Sequence, residues 1–210
     1  MTERGRLITI EGGEGVGKST NLERVAGYLE ERGLPVYRTR EPGGTRLAEG
    51  VRELLKDPEI PVTAGAELLL IFAARASHLE EELRPRLDRG EWVVCDRFTD
   101  ATYVYQGIAR QLGEAPVSWL EEWVQQDLRP DLTILLDAPV AVGFERADGR
   151  GGRDRFEREN VDFFEQVRAG YLERARAEPE RFRVIAADRS PEEVASQLYD
   201  VLKDWLETAG

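Results

Sequence analysis

The chain is predicted to adopt an α/β fold: five parallel strands in one sheet, with helices on both faces. Two observations carry this prediction. Strand and helix patterns alternate from end to end, and the strand runs are continuously apolar, as expected of strands buried on both sides. A third bears on organisation. Across 210 residues there is no internal repeat, low-complexity tract or linker, which suits one domain spanning 1–210.

Each element has its own justification. Leu7-Ile8-Thr9-Ile10-Glu11 is a β-branched run that stops at Gly12-Gly13. From Ser19, Leu22, Val25, Ala26 and Leu29 recur at helical intervals until Gly33 closes the helix. A second strand, Pro35 to Thr39, ends in the turn Glu41-Pro42-Gly43-Gly44. Helical patterns cover 46–56 and 64–89, and in the latter Phe72, Leu79, Leu83 and Leu87 are expected to share a face. Trp92-Val93-Val94-Cys95 is a short buried strand leading to Asp96. Helices are expected over 100–111 and 116–128, before the strand Leu132 to Leu136. After Asp137 the pattern reads helix, Gly/Arg-rich loop, then a helix with Phe163, Phe164, Val167 and Tyr171 on its apolar face. A fifth strand lies near Phe182 to Ala186. Ser190-Pro191-Glu192-Glu193 starts the last helix, with an N-cap serine, proline at N1 and glutamate at N3.

Composition narrows the function. The net charge of −12 argues against general nucleic-acid binding, which needs basic surface to displace counterions. The apolar stretches are far too short to cross a bilayer. Arg4 and Arg6 flank a strand-like run with no apolar segment of a secretory leader. A single cysteine, Cys95, rules out an intramolecular disulfide and suits a reducing cytoplasm. Against this acidic background, Arg146, Arg150, Arg153, Arg155 and Arg158 crowd one glycine-interrupted stretch, the composition expected where an anionic substrate is met.

The strongest motif is Gly12-Gly13-Glu14-Gly15-Val16-Gly17-Lys18-Ser19-Thr20, which satisfies G-x-x-x-x-G-K-[ST] between a strand and a helix. Glycines let successive backbone N–H groups turn around phosphate oxygens, and the helix N-terminus adds partial positive charge. Lys18 is expected to reach the β- and γ-phosphates of a bound nucleotide, and the Ser19 hydroxyl to bind Mg²⁺. Neither asparagine, Asn21 nor Asn160, opens an Asn-Lys-x-Asp guanine-reading motif, so a GTPase is disfavoured. Asp96 and Asp137 both end buried strands, where open α/β sheets bind ligands, and both are candidates for the metal side. Arg97 beside Asp96 is suited to a bidentate grip on an acceptor phosphate.

Four segments together resemble bacterial thymidylate kinases: Glu11 to Thr20; Thr39-Arg40-Glu41-Pro42-Gly43-Gly44-Thr45; Asp96-Arg97-Phe98 with Tyr105-Gln106-Gly107; and Arg129-Pro130-Asp131-Leu132-Thr133. The resemblance extends to the element order over essentially the whole chain. It implies a P-loop nucleoside-monophosphate kinase fold and transfer of the ATP γ-phosphoryl group to dTMP with Mg²⁺, giving dTDP. It also implies a homodimer, for which Leu68, Leu69 and Leu79 are candidate surface residues and equally candidate core. By resemblance, Asp96 rather than Asp137 serves the metal. Arg75 joins Arg97 on the acceptor phosphate, Arg52 lines the same pocket, and Glu41 and Pro42 belong to the dTMP side. Thr102 and Gln106 match positions that read the thymine edge, Tyr105 one that crowds the 2′ carbon, and Glu14 an acidic residue near the 3′-hydroxyl. The usual stacking phenylalanine, four residues before Arg75, is replaced by Ile71, with Phe72 next to it. Either Ile71 packs on the base and Phe72 joins the core, or Phe72 turns into the pocket.

Residues 147–157 resemble the family's arginine-rich lid. The P-loop position that carries a catalytic arginine in one branch is Gly15 here, so the lid is expected to supply the charge. Arg150 is the first candidate, then Arg155, then Arg153, with Arg146 packing on adenine. Two rivals remain: the same chemistry on another monophosphate or nucleoside, and a P-loop ATPase acting as a switch.

Overall fold

The computed structural model of the chain describes residues 4–147, 155 and 159–208. Strands β1 (Leu7–Gly12), β2 (Val36–Arg40), β3 (Trp92–Asp96), β4 (Leu132–Asp137) and β5 (Phe182–Ala186) form one sheet in the order β2-β3-β1-β4-β5. Every pairing is parallel. Helix α1 (Lys18–Glu30) follows β1; α2 (Arg46–Lys56), α3 (Ala64–His78) and α4 (Arg84–Asp88) lie between β2 and β3. Helices α5 (Thr99–Thr102) and α6 (Glu114–Gln125) precede β4, α7 (Val140–Ala147) and α8 (Val161–Ala177) precede β5, and α9 (Pro191–Thr208) follows it.

Alternation along the strands divides the core. On β1, Ile8 and Ile10 pack with Val25, Leu29, Leu198 and Leu202 against α1 and α9. The residues between them face the opposite layer. Leu7 joins Val93, Cys95 and Leu83, Thr9 shares a buried hydroxyl contact of 2.9 Å with Thr133, and Glu11 meets Tyr171 of α8. Side-chain caps close the helix starts. Thr45 Oγ1 accepts from Ala48 N–H, Asn160 Oδ1 from Phe163 N–H, and Ser190 and Glu193 bond reciprocally as the sequence predicts.

Two wide π-helical turns, Leu79–Leu83 and Tyr103–Ala109, interrupt regions expected to be plain helix. A wider turn shifts the phase of the side chains after it. Phe72 packs with Leu68, Tyr103, Val117 and Leu120, while Leu79, Leu83 and Leu87 pack with Leu7, Val93 and Cys95 against the sheet, so the four apolar residues serve two clusters.

A parallel sheet presents all strand carboxyl ends on one edge. The register pairs Ile10 with Asp96 and Arg40 with Asp96, so the glycine-rich turn after β1 lies beside the ends of β3 and β2. Among the described residues, no helix is long and apolar enough to cross a membrane.

Candidate active site

A cavity of about 320 Å³ opens at this edge. At one end it is lined by Glu14, Gly15, Gly17, Lys18, Ser19 and Thr20. The glycines of the turn are required by geometry. Gly17 has φ 88° and Gly15 φ 69°, and a Cβ on Gly15 would overlap the carbonyl oxygen of Gly143 in α7. No side chain fits there. Gly12, Gly13 and Val16 sit behind the cradle with Asp137, Phe144 and Arg168, and Val16 is buried as its anchor. The Lys18 ammonium donates to the Gly13 carbonyl at 2.6 Å, curling over the turn. Burial, followed by the nearby Arg97, pulls its pKa below the ordinary lysine value.

Asp96 and Arg97 stand across from the cradle. Arg97 has a left-handed backbone, φ 67°, held by its N–H on Ile10 O at 3.0 Å and by Phe98 N–H on Glu11 Oε1 at 2.7 Å. That turn sends the guanidinium back over the site. It donates to Glu14 Oε1 at 2.5 Å, Gly12 O at 3.1 Å and the Tyr171 hydroxyl at 3.2 Å, and lies over the Tyr105 ring. Burial pushes the Glu14 carboxyl up, but Arg97 and then Lys18 pull it down further, to about 2.

The two metal-side candidates separate. Asp137 is gripped by Arg168, with Nε and Nη2 on its two oxygens at 2.7 and 3.0 Å. Asp96 lines the cavity with Ser19, and its buried Oδ1 has no partner among the described residues. One carboxylate oxygen and a hydroxyl facing a phosphate cradle fit a Mg²⁺ that shares its ligands with phosphates.

The opposite end of the cavity is built by α3, α5 and the π turn. Arg75 is 2% exposed; its Nε donates to Glu41 Oε2 at 2.6 Å and its Nη2 to Thr102 Oγ1 at 2.9 Å. Its Nη1 has no partner among the described residues. Burial raises the Glu41 carboxyl, yet Arg75 and His78 bring it below the ordinary range. His78 Nδ1 donates to Glu41 Oε1 at 3.0 Å, and the ring lies so close under Gly44 that a Cβ there would collide with it. His78, given no role from sequence, thus fastens the Glu-Pro-Gly-Gly-Thr loop to α3. Arg52 donates to Pro42 O at 3.0 Å on the same wall.

Most of the expected residues converge here, and several do not. Ile71 lines the cavity, whereas Phe72 is 2% exposed in the core with its ring 4.7 Å from Arg75 Cζ; a base-contact role for Phe72 is corrected on that ground. Arg75 is joined to Thr102, the base-edge candidate, rather than to Arg97. Arg146 reaches Ala187 O at 2.7 Å, beyond the cavity. Arg155 donates to Leu55 O at 2.7 Å and to Glu67 Oε2 at 2.6 Å. Arg150 and Arg153 lie outside the described residues. Sequence reasoning gave no site role to Glu11, Glu67 or Tyr171, which hold site residues from behind; Glu11 opens a quoted motif, while no local motif marks Glu67 or Tyr171.

Glu11 is fully buried, and burial followed by the Asp100 carboxylate pushes its pKa up to about 7 from an ordinary 4.5. Between those values the folded state binds the extra proton, so Glu11 lowers stability as pH rises from about 4.5 to about 7. Urea unfolding at pH 5, 6 and 7 should show a flatter pH dependence for Glu11→Gln than for the unmodified chain. Parallel curves would refute the assignment.

Comparison with known proteins gives the family. The thymidylate kinase family model matches residues 10–198. A thymidylate kinase from Chromohalobacter salexigens is 57% identical over 208 residues, spanning 96% of this chain and 98% of that protein. One from Methylococcus capsulatus is 58% identical over 185 residues, with 88% of each chain covered. The crystal structure of thymidylate kinase from Ehrlichia chaffeensis aligns with a TM-score of 0.77 at 31% identity, covering 95% of this chain and 99% of that one. The chain belongs to the thymidylate kinase family.

Proposed function

We propose that the protein transfers the γ-phosphoryl group of ATP to dTMP, giving dTDP and ADP, in the cytoplasm. The carrying observation is that one cavity joins a phosphate cradle to a buried polar pocket through the Asp96-Arg97 turn. In the proposed complex, the backbone N–H groups of the cradle hold the donor phosphates. Lys18 exchanges the Gly13 carbonyl for phosphate oxygen. Mg²⁺, held by Ser19 and Asp96, supplies charge neutralisation on the phosphates. Arg97 grips the acceptor phosphate, and Glu14, kept ionised, accepts from the sugar 3′-hydroxyl. Tyr105 stands against the 2′ carbon. Arg75, Thr102 and Gln106 address the base edge, with Ile71 against its face and Glu41, Pro42 and Arg52 forming the adjoining wall.

In-line transfer needs little covalent help, so the remaining requirement is positive charge on the moving phosphoryl group. Gly15 has no room for it, and Arg155 is engaged at Glu67. The proposal therefore places it on Arg150 of the 147–157 lid, with Arg153 as its neighbour and Arg146 beside the adenine. The homodimer is supported by exposed apolar residues on adjacent helices: Leu47 and Leu54 on α2, Leu69 on α3, and the stacked Trp119 and Trp123 on α6, the last pair 64% and 69% exposed. Leu68 and Leu79 are core and take no part.

ADP release with Mg²⁺-ATP and a panel of monophosphates tests the function. Turnover of dTMP should exceed that of dCMP, AMP and GMP; dUMP should be closer, since one methyl group is worth about 1–3 kcal/mol. ATP consumption without any phosphorylated acceptor would point instead to a switch ATPase. Arg150→Ala should lower kcat by roughly 10³-fold, and a loss below about tenfold would move the role elsewhere. Sedimentation should give twice the 23.8 kDa chain mass, with Trp123→Glu shifting it toward one chain; a monomeric unmodified protein would overturn the dimer.

A further inference from the structure

We propose that Glu67 is a positioning residue for base specificity, fixing the Gln106 amide so that its carbonyl oxygen faces the acceptor. The proposal rests on the reading of this cavity as the dTMP site and names the hydrogen-bond pattern by which that site selects its base.

Glu67 lies in the first turn of α3 and is fully buried. Gln106 Nε2 donates to Glu67 Oε1 at 2.7 Å. Arg110 Nε approaches the same oxygen at 3.4 Å, and Arg155 Nη2 donates to Oε2 at 2.6 Å. A carboxylate paired with two guanidiniums accepts hydrogen bonds and donates none. The amide facing it must present its NH₂ group. Turning Gln106 over would set two acceptor oxygens against each other in a buried site, where an unmatched polar pair is costly.

With its NH₂ end turned to Glu67, Gln106 offers the opposite end of the amide, Oε1, to a ligand in the cavity it lines. That atom is an acceptor. Its neighbours have the opposite polarity. Thr102 Oγ1 accepts from Arg75, which leaves the hydroxyl proton to donate, and Arg75 Nη1 is a donor without a partner among the described residues. The pocket therefore offers donors beside an acceptor. A 4-oxo pyrimidine such as thymine or uracil, with a carbonyl next to a ring N–H, matches this pattern. Cytosine, with an amino group next to an unprotonated ring nitrogen, presents the inverse. Selection against cytosine thus depends on a carboxylate that touches no substrate.

The test compares kcat/KM for dTMP and dCMP in the unmodified protein, Glu67→Gln, and the exchanged pair Glu67→Gln with Gln106→Glu. A glutamine at 67 accepts or donates, so Gln106 is released to turn over. The dTMP-to-dCMP ratio should fall about tenfold or more. In the exchanged pair, the amide at 67 donates to the carboxylate at 106, whose second oxygen is again an acceptor toward the cavity. The ratio should return to within a few-fold of the original. A role confined to folding lowers both substrates together, so an unchanged ratio in Glu67→Gln overturns the proposal whatever the activity. If Glu67→Gln alone does not fold, the exchanged pair decides: a retained ratio supports the proposal and a tenfold collapse overturns it. Failure of the unmodified protein to phosphorylate dTMP would instead strike the reading of the cavity, and that control is read first.

Discussion

Cations buried against carboxylates carry the architecture of this site. A chain of net charge −12 that binds phosphates must hold its positive groups where substrate will be, and hold them before substrate arrives. It does so in matched sets: Arg97 with Glu14, Arg75 with Glu41, and Arg110 and Arg155 with Glu67. Removing one member of a buried pair costs about 3–5 kcal/mol, because the other is left without compensation. Each set therefore has to form complete. Pairing also orients: with Nε and Nη2 of Arg75 committed, its remaining nitrogen has one direction left.

Backbone geometry places these sets. Arg97 adopts a left-handed conformation uncommon for a residue with a side chain, sustained by two hydrogen bonds to β1, one through the Glu11 carboxylate. Gly15 and Gly143 meet back to back, so the cradle is seated on α7 and has no room for a charged side chain of its own. These contacts bind β1, β3 and α7 into one edge. They also explain why phosphate-side and base-side chemistry share a single cavity.

Much of this was legible beforehand. The five strands, the cap at Ser190 and the cradle follow from local patterns, because a strand's apolar run and a glycine turn are properties of neighbouring residues. Asp96, Arg97, Thr102, Tyr105 and Gln106 were found through motifs that lie within ten residues of one another, and the cavity gathers them. The π turns were not legible. Nothing in a run such as Leu79 to Leu83 distinguishes a wide turn from an ordinary one until tertiary packing shifts the phase.

By itself, the sequence determined the α/β class, the phosphate cradle and the residue types of the site, since these depend on periodicity and on glycines at fixed spacing. Only the tertiary structure decided that Ile71 faces the cavity while Phe72 enters the core, and that Asp137 is occupied by Arg168 while Asp96 keeps one oxygen without a partner among the described residues. It alone brought Glu11, Glu67, His78 and Tyr171 behind the site. The physical reason is distance along the chain. Glu67 and Gln106 lie 39 residues apart, and Glu11 and Tyr171 lie 160 apart, so their hydrogen bonds exist only once the sheet has brought separate elements together.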